Sequence, residues 1–179
     1  FKLSPNKKTI LSIGGSLGAK SINEAINKYI NEFEKNELQL IWQTGKPYAT
    51  TAQQTAKGSA NIYTRDFITN MEYAYAAADL IISRSGAMAI AEICVAKKPT
   101  IFVPYPFAAE DHQTVNAENL VSKSAALTIN DNEVLDKLVS SIIALSNNVE
   151  HQHTLKQNIA KLAIINADEV IANEILSVV

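Results

Sequence analysis

The chain has a single cysteine, a single tryptophan, five prolines and six glycines among its 179 residues. The lone Cys94 excludes an internal disulfide framework and a multi-cysteine zinc site, and it fits a reducing compartment. There is no basic excess. Sixteen Lys and Arg stand against 18 Asp and Glu, for a formal net charge of −2, which argues against nucleic-acid binding. No apolar run is longer than a strand, so no segment is expected to cross a bilayer as a helix. No secretory signal pattern opens the sequence. Phe1 in place of an initiator Met is expected of a processed product or an excised piece. His151 and His153 fall in a polar, helix-like stretch and are expected to be solvated, so no metal site is expected. Hydrophobic residues make up 47% and charged residues 19%, which suits one globular domain with a real core.

Hydrophobic periodicity switches repeatedly between strand and helix. Short apolar runs at Thr9–Ile13, Leu38–Trp42, Ile62–Tyr63, Leu80–Ile82, Thr100–Val103 and Ala126–Ile129 predict six strands. Helical spacing predicts helices over Ser21–Glu34, Asn70–Ala77, Gly86–Ala96, Asp111–Ser122, Asp131–Leu145, His151–Leu162 and Ala167–Leu176, with a weaker one over Pro47–Lys57. Asp131 is expected to cap the helix that follows it. The alternation predicts an α/β fold, a Rossmann-like parallel sheet of about six strands with helices on both faces. Ligands of such sheets bind at the carboxyl ends of the strands, so the loops there carry the functional argument.

Three loops have suitable chemistry. Gly14-Gly15-Ser16-Leu17-Gly18-Ala19 joins a strand to a helix, and its amides suit an anion, although a ligand-free tight turn would use the same residues. A dinucleotide fingerprint would need Gly where Ser16 stands and an acid where Trp42-Gln43-Thr44 stands, so NAD is disfavoured. A P-loop reading uses Gly14, Lys20 and Ser21, but Ala19 replaces its second glycine. In the second loop, Ser83-Arg84-Ser85-Gly86-Ala87-Met88, either serine suits a helix cap, and Arg84 suits either an anion or a structural ion pair. Glu92, on the helix that follows, suits two ribose hydroxyls, yet alone it reads better as a solvated residue. The third loop, Pro104 to Asn116, crowds Glu110, Asp111, His112 and Gln113 at a helix start, a set suited to sugar hydroxyls.

Together with Phe67-Ile68-Thr69-Asn70-Met71 and Asp111-His112-Gln113-Thr114-Val115-Asn116-Ala117, these loops resemble the MurG family of bacterial peptidoglycan glycosyltransferases. Members of that family move N-acetylglucosamine (GlcNAc) from UDP-GlcNAc to lipid I, the undecaprenyl-linked muramyl-pentapeptide, making lipid II. The resemblance runs from about Thr9 to Asn130 and covers only the C-terminal, donor-binding half of the family's two-domain GT-B architecture. It implies one UDP-GlcNAc-binding domain over residues 1–179, with 1–8 a linker remnant and 147–179 the C-terminal helices. It implies that Gly15 and Ser16 face the diphosphate together with the amides of Ala87 and Met88. The Ile68 backbone would meet the uracil edge, Phe67 and Met71 would wall that pocket, and Glu92 would hold the ribose. Gln113, with His112 beside it, would read GlcNAc. No cofactor or metal is implied, and the general base is expected outside this chain, with Glu110 and Asp111 as weak alternatives. The expected setting is the cytoplasmic face of the bacterial membrane, where the whole protein sits peripherally; the isolated half is expected to bind donor without catalysing transfer. Rival readings are another nucleotide-sugar enzyme of the same architecture, such as a UDP-sugar 2-epimerase, and a non-catalytic nucleotide-binding module.

Overall fold

The apolar runs at Thr9–Ile13 (β1), Gln39–Gln43 (β2) and Leu80–Ser83 (β4) are buried at every residue, as strands covered on both faces must be. With Ile62–Arg65 (β3), Thr100–Phe102 (β5) and Leu127–Thr128 (β6) they form one sheet in the order β3-β2-β1-β4-β5-β6. Every pairing in it is parallel. This computed structural model describes residues 1–178.

Alternation along the strands divides the core into two layers. Ile10, Leu40, Trp42, Leu80 and Ile82 face one side of the sheet. They meet Ile22 and Ile26 of α1 (Lys20–Lys28), Phe33 of α2 (Ile30–Lys35), Ala52 of α3 (Ala49–Thr55) and Leu138 and Ile142 of α7 (Val134–Asn147). Leu11, Ile13, Ile41, Ile81 and Phe102 face the other side. There they meet Tyr75 of α4 (Met71–Ala77), Ile93 of α5 (Ala87–Ala96) and Leu120 of α6 (His112–Val121). In α8 (Val149–Ala160), Leu155 joins the first layer and Ile159 the second. The last helix, α9 (Ala167–Ser177), leaves Val170, Ile171, Ile175 and Leu176 exposed. No helix among the described residues is long and apolar enough to cross a membrane.

The six expected strands and the order of helices are all present, with local differences. The helix expected over Ser21–Glu34 is broken at Tyr29, whose φ of −114° and ψ of 25° leave the helical region. Tyr29 and Ile30 are aromatic and β-branched, two classes that lose side-chain freedom in a helix. Asp131 does not cap α7. Asp131–Glu133 forms a separate 3₁₀ turn, and the Asp131 carboxylate accepts from Arg84 and Ser21 instead. Residues of the expected linker are tied to the sheet: the Ser4 amide donates to Gln39 Oε1 at 2.6 Å, and Gln39 Nε2 returns a bond to the Ser4 carbonyl at 2.8 Å.

One polar side chain on the apolar stripe of α1 joins that helix to β2. Asn23 is buried, accepts from Trp42 Nε1 at 2.8 Å and donates to the Thr44 carbonyl at 2.8 Å. The same carbonyl lies against Gly18: a Cβ added there would come within 2.1 Å of the Thr44 oxygen, at a φ of +77°. Asn23→Ala orphans the buried indole N–H, an effect on the order of 1–3 kcal/mol. The urea midpoint of Asn23→Ala is therefore expected to fall clearly below that of the parent, and Gly18→Ala to lower it as well. An unchanged midpoint for either variant contradicts this packing.

Candidate functional site

The β1–α1 and β4–α5 connections leave neighbouring strands for opposite faces of the sheet, and a cleft opens between them at the carboxyl ends. Its volume is about 1010 Å³, and Gly15, Ile68, Met88, Glu92 and Gln113 line it together. Phe67 and Met71 line it too. Ser16, Ala87 and His112 do not, and all three are exposed. The first, second and third loops thus meet around one cleft at the carboxyl end of the sheet, as a shared ligand requires.

The glycines of the first loop have different jobs. Gly14 and Gly18 are packing residues: a Cβ on Gly14 would meet the Ala19 amide nitrogen at 2.4 Å, and Gly18 abuts Thr44. Gly15 has a φ of +76° with nothing within 4 Å of an added Cβ, so it is the glycine that leaves backbone open to a ligand. Gln43, at the end of β2, holds this loop in place. Its Nε2 donates to the Gly15 carbonyl at 3.3 Å, and its Oε1 accepts from the Ile68 amide at 3.0 Å. The Ile68 backbone is the group expected to meet a base edge. With the N–H engaged by Gln43, the carbonyl remains for that purpose.

The start of α5 has no side-chain cap. Ser85 Oγ donates instead to the Gln113 carbonyl and Ser83 Oγ to the Arg84 carbonyl, each at 2.8 Å, so the capping expected of either serine does not form. The first intrahelical acceptor, the Gly86 carbonyl, is taken by Ile90. The amides of Ala87 and Met88 precede that bond and have no carbonyl partner within the helix. An anion placed there meets the positive end of the helix dipole.

Arg84 resolves into a structural ion pair. Its Nη1 donates to Asp131 Oδ1 at 2.5 Å and to the Pro104 carbonyl at 3.0 Å, and its Nη2 donates to Ser21 Oγ at 3.1 Å. The guanidinium joins the ends of β4 and β5 to the start of α1 and the turn before α7. This engagement also weakens the P-loop reading. Ser21 gives its proton to Asp131 at 2.6 Å, and Lys20 reaches outward to Glu24 at 3.7 Å.

Glu92 is exposed on α5, but it is not free. Tyr75 donates its phenolic proton to Glu92 Oε2 at 2.8 Å. Burial, then the adjoining carboxylate, pushes the Tyr75 phenol well above its ordinary value, so the hydroxyl stays a donor. Gln113 is anchored twice: Oε1 accepts from the Tyr105 amide at 3.1 Å, and its backbone carbonyl accepts from Ser85. Its Nε2 lies close to Gly86, and Gln113 lines the cleft. The His112 imidazole instead turns to the Ala109 carbonyl, with Nδ1 at 2.6 Å, and is not brought to the cleft. Cys94 is buried, and desolvation raises its thiol, so it has no nucleophilic role here. Gln43 and Tyr75 are the two residues of this site that the sequence did not single out. Their only signal was polar chemistry at a strand end and on a buried helix face.

Known proteins are similar to this chain in sequence and fold. A transferase of Parabacteroides distasonis, named UDP-N-acetylglucosamine--N-acetylmuramyl-(pentapeptide) pyrophosphoryl-undecaprenol N-acetylglucosamine transferase, is 44% identical over 181 aligned positions. The alignment covers 100% of this chain and 49% of the relative, so the chain spans about half the length of the curated relatives it matches. The crystal structure of Acinetobacter baumannii MurG superposes with a TM-score of 0.80 at 31% identity, over 97% of this chain and 53% of that one. A putative UDP-N-acetylglucosamine 2-epimerase of Listeria monocytogenes shares the fold alone, at 13% identity and a TM-score of 0.62, over 86% of this chain and 40% of that one. The model of the glycosyltransferase family 28 C-terminal domain matches residues 9–174. The chain belongs to the glycosyltransferase family 28 C-terminal domain family.

Proposed function

We propose that this chain is the donor-binding half of an inverting glycosyltransferase that transfers GlcNAc from UDP-GlcNAc to lipid I, forming lipid II. The observation that carries the reading is the convergence of Gly15, the start of α5, the Ile68 carbonyl and Glu92 on one cleft. The names of the relatives specify the sugar and the lipid-linked acceptor.

The chemistry follows from the residues. The amides of Gly15 and Ser16 and those of Ala87 and Met88 hold the diphosphate from two sides. Displacing UDP from the anomeric carbon builds negative charge on that diphosphate, and fixed N–H donors stabilise it without a proton transfer. The Ile68 carbonyl accepts the N3–H of uracil between Phe67 and Met71. The Glu92 carboxylate accepts from the two ribose hydroxyls. Gln113 Nε2 donates to a GlcNAc hydroxyl, without help from His112, whose ring is turned to the Ala109 carbonyl. The other half of the protein supplies the lipid I site and the general base. Because that acceptor is a lipid, the whole enzyme works peripherally at the cytoplasmic face of the membrane. No cofactor enters this reading.

Calorimetric titration of the chain with UDP, UDP-GlcNAc and ATP tests it. Both uridine ligands are expected to bind more tightly than ATP, and a preference for ATP contradicts the proposal. Glu92→Ala removes a charged acceptor and is expected to weaken UDP by about 1.5–3 kcal/mol. Gln113→Ala is expected to weaken UDP-GlcNAc and spare UDP. Equal losses for the two ligands remove the sugar assignment of Gln113.

A further inference from the structure

We propose that Tyr75 is a positioning residue of the donor site, holding the Glu92 carboxylate where it meets the ribose hydroxyls of a nucleoside diphosphate. The inference rests on the reading of Glu92 as the ribose acceptor and extends it to a residue outside the phosphate-binding and sugar-binding loops.

Glu92 lies on an exposed helix face, where a long side chain samples many rotamers and loses that freedom when a ligand fixes it. Tyr75 is the opposite case. Its ring packs into the second core layer with 9% exposure, and α4 and α5 are neighbours in that layer. A buried tyrosine needs a partner for its hydroxyl, and Glu92 Oε2 is that partner at 2.8 Å. The rigid ring thus points a donor at one carboxylate oxygen. A carboxylate has about four acceptor positions, so this bond leaves room for two ribose hydroxyls. Burial and the Glu92 charge raise the phenol, so the donor persists throughout the neutral range. Both side chains line the cleft, which makes the pair part of the ligand surface. Fixing the acceptor before the ligand arrives lowers the ordering cost of binding.

The test is a double-mutant cycle on this chain, with Tyr75→Phe and Glu92→Ala made singly and together. Affinity is read by calorimetry for UDP and for 2′,3′-dideoxyuridine diphosphate, which lacks both hydroxyls. Tyr75→Phe keeps the buried ring and removes only the donor. It is expected to weaken UDP about three- to tenfold, the range of one ordinary hydrogen bond. It is expected to leave the dideoxy ligand unchanged and to add nothing in the Glu92→Ala background. Equal loss for both ligands signals a packing role and overturns the inference, as does a Tyr75→Phe chain that binds UDP like the parent. If Glu92→Ala weakens UDP while Tyr75→Phe does not, the positioning role alone falls. If Glu92→Ala is itself silent, the ribose reading fails and takes the positioning role with it.

Discussion

The pairing of β1 with β4 governs the rest of the molecule. Ile10 to Ile13 run beside Leu80 to Ser83 in parallel register, with Ile13 opposite Ser83. The chain leaves β1 toward the α1 layer and leaves β4 toward the α5 layer. Two adjacent strand ends therefore release their backbones in opposite directions, and no connection crosses the gap between them. The cleft is a consequence of topology, not of any particular loop. Its two walls of open backbone amides are the places where the first and second loops turn into helices.

Topology alone does not keep those loops in register. Four polar side chains do so, each bonding to backbone, to an opposite charge or to another polar side chain. Gln43 ties the Gly15 carbonyl to the Ile68 amide, and so fixes the β1–α1 loop relative to the segment after β3. Arg84 gathers the ends of β4 and β5, the start of α1 and the turn at Asp131. Asn23 secures α1 to the end of β2. Tyr75 extends the same principle to Glu92. In a partly dehydrated environment a satisfied network of this kind favours one arrangement strongly, because breaking any member leaves a buried group unpaired.

The elements visible in the sequence were those set by hydrophobic period. All six strands, the three loops and the division into alternating strands and helices follow from apolar spacing and from Gly and Pro at its ends. The residues that were missed are polar ones whose partners lie far along the chain. Asn23 sits between Ile22 and Ala25 on an otherwise apolar stripe, and its partners Trp42 and Thr44 are 19 and 21 positions away. Gln43 ends β2 and reads in sequence as the place where a dinucleotide acid is absent. Its actual role depends on Ile68, brought close by the β2–β3 crossover. The serines before α5 and Asp131 look like local caps, because sequence displays only local partners. Long-range ones claimed them: Gln113 for Ser85, Arg84 for Asp131. His112 was grouped with Gln113 by adjacency, yet successive residues at a helix start point in different directions, and its ring bonds to Ala109.

The family assignment gives the domain its place among glycosyltransferases, while the geometry shows which residues share the cleft. In the proposed reading, backbone amides meet charge across the cleft, a backbone carbonyl meets the base, and a braced carboxylate meets the ribose. A crystal structure of this chain soaked with UDP tests that account most directly. The account predicts uridine density between the Ile68 carbonyl and Glu92, with the diphosphate against the amides of Gly15 and Ala87. A nucleotide bound elsewhere on the molecule, or one in the cleft with its diphosphate turned away from the start of α5, would contradict it.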